Sequence, residues 1–250
     1  MGILVDSTER DSALSVSYKE KFSASSQKAH TRFIATKIYQ DMEKHLANVE
    51  TSPTTSRRWV WELIQNAKDV NIKGSKVQVL IEADLKDPDA HVTFSHNGGA
   101  FTTENIRFLI EQVSSKERTK DSSGRPTTTG RFGTGFLTTH LLSANVTVDG
   151  VVREEGLTPR KFELSLDRSG DESDIIASVE AAKESMEDLD DLPTYKKYVE
   201  GAFNTSFRYE LTDGTGKRLQ ARDCKTSTSA CPTRSLLWER LKGSNTRTGS

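Results

Sequence analysis

The stretch RRWVWELIQNAKDVN, Arg57 to Asn71, decides how the rest of the chain is read. Its spacing is helical. Val60, Leu63, Ile64, Ala67 and Val70 gather on one side, while Glu62, Asn66 and Asp69 gather on another at i, i+4 and i+7. A solvent-facing polar side is the default for an amphipathic helix. The sharper reading is that the carboxylate, the amide and the second carboxylate line a site for a phosphate and a metal ion. In isolation the helix favours the first reading, and Trp59 and Trp61 read as packing residues.

Working outward, TSPTTS (51–56) breaks the chain and offers hydroxyls to cap this helix. Before it, Phe33, Ile34, Ile38, Met42 and Leu46 predict a helix over 28–50, and residues 1–27 read as a flexible, Ser-rich segment. After it come two strand-like runs, 76–83 and 90–96, and a short helix over 102–113 capped by Thr102 or Thr103. A polar loop (114–129) leads to GRFGTGF (130–136) and a helix in FLTTHLLS. Strands at 145–150 and 161–168, an acidic helix over 173–192 and a last strand over 204–213 complete the pattern. Residues 214–250 show no sustained period and read as a polar, disordered tail.

With 250 residues the chain is long enough for one domain plus a tail. Lys and Arg (35) nearly balance Asp and Glu (36), which argues against a nucleic-acid module driven by bulk charge. Mean hydropathy is −0.61, and no apolar run is long enough to span a bilayer. The first residues lack the pattern of a secretory signal, and Asp6 stands where a myristoylation motif has Ser or Thr. Cys224 and Cys231 lie in the polar tail with no nearby His, so the expected setting is reducing and intracellular, cytoplasmic or nuclear.

Two glycine segments raise the odds on the sharper reading of the helix. In SHNGGAF (95–101), Gly98 and Gly99 mark a tight turn directly after a strand, where backbone can approach a ligand. In GRFGTGF, glycines open a helix, where unpaired N–H groups favour an anion. This is not a P-loop, because Phe136 and Leu137 follow Gly135 where Lys and Ser or Thr are required. Nor is it a dinucleotide fingerprint, since Thr138 replaces the third glycine.

Taken in order, WELIQNAKD (61–69) resembles the N-box, HNGGAF (96–101) the D-x-G-x-G turn, and TGRFGTGF (129–136) the glycine-rich lid motif of the GHKL superfamily. NTSFRYEL (204–211) resembles that superfamily's G-T-x-F segment. DNA gyrase, the ninety-kilodalton heat-shock chaperones, histidine kinases and MutL share this ATP-binding domain. The wording here is most similar to sacsin-like members. The resemblance covers residues 28–213 and implies a Bergerat-type α+β two-layer sandwich, with a mixed, mainly antiparallel sheet and helices on one face.

The resemblance also implies roles. Glu62 would activate a water for attack on the γ-phosphate of ATP. Asn66 would give an oxygen to Mg²⁺, and Asp69 would sit near the ribose or a bound water. Gly130, Gly133, Thr134, Gly135 and Phe136 belong to the segment that holds the phosphates. Gly98 would let backbone approach the nucleotide closely, Thr205 would join a water-mediated contact to the base, and Lys116, in a lid over 114–129, would reach a phosphate.

The chain departs from the family in two places. His96 stands where the family's Asp accepts a hydrogen bond from the adenine amine. A neutral imidazole with a bare nitrogen can accept that bond, and Asn97 offers an amide as an alternative reader. Asn204 stands where Gly is usual.

The implied function is Mg²⁺-dependent ATP binding with slow hydrolysis, a conformational switch read by a further domain or partner protein. The alternative is a degenerate, non-hydrolysing interaction module with weak or no nucleotide binding. A histidine kinase domain fits less well, because no dimerisation helix with a phosphoacceptor precedes the domain and His30 reads as structural.

Overall fold

The computed structural model describes residues 17–49, 58–72, 74–86, 89–112 and 134–211. The expected tail, the 114–129 loop, Lys116, Gly130 and Gly133 lie outside these residues. Helix α1 runs Tyr18–Val49 and α2 Arg58–Asp69, followed by strands β1 (Val79–Asp84) and β2 (His91–His96). Helix α3 (Thr103–Glu111) and the short α4 (Thr134–Leu137) precede β3 (Asn145–Val152) and β4 (Arg160–Asp167). Helix α5 (Glu172–Glu184) and β5 (Thr205–Glu210) complete the order.

The fold is α+β, built on a five-stranded sheet in the order β1–β2–β5–β3–β4. Every neighbouring pair of strands is antiparallel, where a mixed, mainly antiparallel sheet was expected. Among the described residues the parallel contact is one isolated bridge, Phe101 to Val152. Two-residue alternation sorts the sheet into faces. Val92, Phe94, Val146, Val148, Leu164 and Phe207 are buried on one face, while residues such as Ser95, Ser206, Glu163 and Ser165, which alternate with them, are not. Registry stacks the apolar residues across strands, Phe94 opposite Phe207 and Phe207 opposite Val148. The helices therefore cover one face, and the core lies between the two layers.

Helix α1 begins ten residues before its expected start. Ser17 and Glu20 form a reciprocal cap, Ser17 N–H donating to Glu20 Oε2 (2.7 Å) and Glu20 N–H to Ser17 Oγ (3.2 Å). The buried side of α1 begins only at Thr31 and continues through Ile34, Ala35, Ile38 and Met42, so the first turns carry no hydrophobic period to read. Helix α3 starts where expected, with Thr102 and Asn105 closing a capping box. The acidic helix is shorter than expected. It ends at Glu184, and a 3₁₀ turn at Leu189–Asp191 follows.

Arg168 ties three elements together from inside. Its guanidinium donates to Ile110 C=O in the last turn of α3 (2.9 Å), to Asp167 C=O (3.0 Å) and to Ser178 Oγ on α5 (3.3 Å). At the other end of β3, Gly150 makes room for aromatic packing. A Cβ there would lie 2.6 Å from Phe162 Cζ and 2.9 Å from Phe101 Cε2, two rings that meet edge to face. Gly150→Ala is expected to cost about 1–3 kcal/mol through overpacking. Urea unfolding followed by far-UV circular dichroism measures this, and an unchanged midpoint would refute the packing argument.

Candidate functional site

Helix α2 has three faces rather than two. Leu63 and Ala67 are fully buried, and Trp61, Gln65 and Lys68 take the solvent. The row Glu62, Asn66 and Asp69 is not the wet face. Asn66 is 6% exposed, the Glu62 side chain 26%, and Asp69 is half-buried. Trp59 packs on Tyr209 with ring centroids 6.1 Å apart, as a packing residue should, whereas Trp61 is exposed.

The polar row meets the two glycine segments. Glu62 lies directly on Gly135. A Cβ at that position would collide with Glu62 Oε2 and stand 3.0 Å from its Cδ. Arg58, one turn earlier, pairs with Glu62 Oε1 at 3.6 Å. At the other end of α2, Gly99 N–H donates to Val70 C=O (2.8 Å), and a Cβ on Gly98 would reach 2.6 Å from Val70 Cγ2. Only glycine lets the turn after β2 close down on the end of the helix. Thr134 and Gly135 open α4, and Phe136 is buried against Phe207 and His140.

His96 ends β2, directly opposite Thr205 at the start of β5, and both are 2% exposed. The ring stacks on Phe207 (centroids 6.2 Å, 27° between planes), and Gly98 N–H donates to its Nδ1 (3.1 Å). Burial lowers its pKa from 6.5 to about 4, so the ring is neutral at physiological pH. Asn97 is engaged at both ends of its amide: Gln78 N–H donates to Oδ1 (2.7 Å), and Nδ2 donates to Lys76 C=O (3.1 Å). Its place is to brace the segment before β1.

Two buried polar atoms at this site, Asn66 Nδ2 and Thr205 Oγ1, have no hydrogen-bond partner among the described residues. At Glu62 and Asn66 the row carries donors of the kind that the motifs imply for a cation and a phosphate. Asn66 is a buried amide, a hard oxygen donor when turned to present Oδ1, beside a carboxylate held against a glycine backbone. The adenine contact that the motifs imply at position 96 fits less well. His96 Nδ1 already accepts a backbone N–H, so its bare nitrogen is not available to accept an adenine amine.

The motifs gave no sign of His140, which belongs to the same neighbourhood. It lies one turn after α4, with Nδ1–H donating to Ala144 C=O (3.1 Å) and Nε2 accepting from Gln112 Nε2 (3.2 Å). Burial, reinforced by the nearby Arg168 charge, pulls its pKa down to about 3. Glu111 is also buried, beside Lys183 (2.9 Å), Arg107 (3.3 Å) and His30 (3.9 Å). A contact with Glu111 is a structural use of His30.

No protein-family model matches the chain, and no curated protein matches it in sequence. No helix among the described residues is long and apolar enough to cross a membrane.

The two buried imidazoles make stability depend on pH. Their folded pKa values lie below the ordinary imidazole value of 6.5, so the unfolded chain binds protons first as pH falls. The stability they contribute is complete above about pH 6.5 and declines toward the folded values. Between pH 7 and 5 the loss is expected to be roughly 1–2 kcal/mol for each histidine. Denaturant unfolding at the two pH values measures it, and His96 and His140 imidazole NMR signals that titrate near 6.5 in the folded protein would overturn it.

Proposed function

We propose that this chain is a GHKL-type domain of Bergerat fold that binds a nucleoside triphosphate, ATP by the resemblance of its motifs, with Mg²⁺, and hydrolyses it slowly. One observation carries the reading most of the way. The Glu62–Asn66–Asp69 row is turned away from solvent, and Glu62 rests on Gly135 of the glycine-rich motif. Two segments 73 positions apart in sequence supply one carboxylate-and-glycine surface, which a merely wet helix face gives no reason to build.

In this reading Glu62 orients a water and takes its proton, a role open to a carboxylate within reach of the reacting phosphorus. Arg58, paired with its other oxygen, restricts where the carboxylate swings. Asn66 supplies one oxygen to the cation, while Asp69 lines the same row farther along α2. Gly135 exposes backbone where any side chain would displace Glu62. Bound Mg²⁺ supplies neutralisation of the phosphate charge, leaving positioning as the chain's own contribution. Hydrolysis at such a site acts as a switch that a further domain or partner protein reads.

One feature favours the alternative, a degenerate module that binds no nucleotide. His96 replaces a carboxylate and has one nitrogen already engaged by Gly98. Calorimetric titration separates the two readings. Asn66→Ala is expected to abolish Mg²⁺-dependent ATP binding, while Glu62→Ala keeps binding and loses turnover by at least about a hundredfold. Parent protein that binds no nucleotide with Mg²⁺ present would leave the degenerate module standing. Undiminished hydrolysis in Glu62→Ala would remove the water-activating role.

A further inference from the structure

The three most exposed large apolar side chains among the described residues all belong to α1. Tyr18 is 93% exposed, Phe22 77% and Phe33 70%. Apolar residues scattered singly over a surface need no explanation. These three are too few to give a periodic signal, yet they align. At about 100° per residue, Tyr18, Phe22, Ala29 and Phe33 fall within about 60° of one another around the helix. Ile34, Ile38 and Met42, which enter the core, lie on the opposite side, so the fold itself makes no use of the stripe. Every residue over 18–30 is exposed. A helical stretch of that length is marginal in water without packing, and Ser23, Ser25 and Ser26 add little propensity.

Charge indicates what kind of surface covers the stripe. Lys21, Lys28 and Arg32 run along one border of it, and Lys19 and Lys37 along the other. Glu20, the one carboxylate between positions 18 and 33, falls on the far side and accepts Ser17 N–H (2.7 Å). Past Phe33 the stripe ends, because Thr36 donates to Glu172 of α5. A second copy of this helix laid against the first would bring like charges together. A convex helix also gives no groove in which the bases of a nucleic acid could stack. An acidic lipid surface suits both features, since headgroups meet the cationic borders and the interface accepts aromatic rings.

We propose that the first part of α1, Tyr18–Phe33, docks along the surface of an anionic bilayer. Tyr18, Phe22 and Phe33 enter the headgroup boundary, and the bordering lysines and Arg32 sit over acidic lipids. The helix lies on the membrane and does not cross it, in keeping with its apolar content. This docking is independent of whatever α2 and the glycine segments bind.

Sedimentation of the full chain with lipid vesicles tests the proposal. Vesicles of phosphatidylcholine with about 30% phosphatidylserine are expected to bind at least about tenfold more tightly than phosphatidylcholine alone at low salt. Raising the salt to about 0.5 M is expected to weaken that binding, because the border charges are exposed. The paired variant Phe22→Ser, Phe33→Ser is expected to lose a further tenfold or more. Both side chains face solvent, and far-UV circular dichroism of the variant checks that the fold is kept. No binding to the acidic vesicles, or binding that the paired variant leaves unchanged, would overturn the proposal. Sedimentation velocity without lipid covers the rival occupant. Self-association that the paired variant abolishes, in place of vesicle binding, would give the stripe to a second copy of the chain and overturn the membrane assignment.

Discussion

Helix α2 has to bury two of its three faces, and the local architecture follows from how it does so. Leu63 and Ala67 join the core as any apolar stripe would. The Glu62–Asn66–Asp69 row is harder to bury, because polar groups leave water cheaply only where neighbours pair with them or leave polar space. Glycines provide that space at both ends. Gly135 leaves the Glu62 carboxylate where a side chain would otherwise stand, and Gly98 and Gly99 let the turn after β2 close on Val70. The sheet fixes the distance between these ends, since β2 carries one turn and Phe207 of β5 packs against Phe136 of α4.

Much of this was legible in the sequence, and the rest failed for identifiable reasons. Periodicity finds α2 and its apolar side, but a helical wheel cannot separate a buried polar row from an exposed one. Asn66 and Gln65 have nearly the same chemistry and opposite burial. What distinguishes them is which segment stands opposite, and that is set by residues far along the chain. The order β1–β2–β5–β3–β4 has the same character. β5, last in sequence, inserts between β2 and β3, a long-range pairing that no local pattern announces. Arg168 reads as the polar end of a strand, because two of its partners, the Ile110 and Asp167 carbonyls, are backbone atoms that sequence does not label. At the start of α1, S-x-x-E at Ser17–Glu20 is a capping signal that stands without an apolar period behind it.

The buried polar groups fall into two populations. In the first, bonding is dense and local. Both ring nitrogens of His140 are engaged, and Glu111 sits beside two cationic side chains. These contacts join α3, α5 and the turn after α4, so their role is architectural. A neutral imidazole with one donor and one acceptor suits that role better than a charged one, which burial would penalise.

The second population lies on the α2–β2–β5 side; single atoms lack partners there as they do at Asn105 Nδ2, Gln112 Oε1 and Arg168 Nε in the first. Thr205 has a single side-chain polar atom, and it is buried without a partner on a strand where the alternating inward positions are Phe207 and Tyr209. An unpaired buried hydroxyl costs about 1–3 kcal/mol, and a valine of nearly the same shape would avoid that cost. On α2, Asn66 leaves its amide nitrogen unpaired. His96, opposite Thr205 on the neighbouring strand, accepts from Gly98 N–H at Nδ1. The contacts of His140 and Arg168 are those of packing and element joining, whereas Asn66 Nδ2 on α2 and Thr205 Oγ1 on β5 hold back hydrogen-bonding capacity that a polar ligand reaching them would complete.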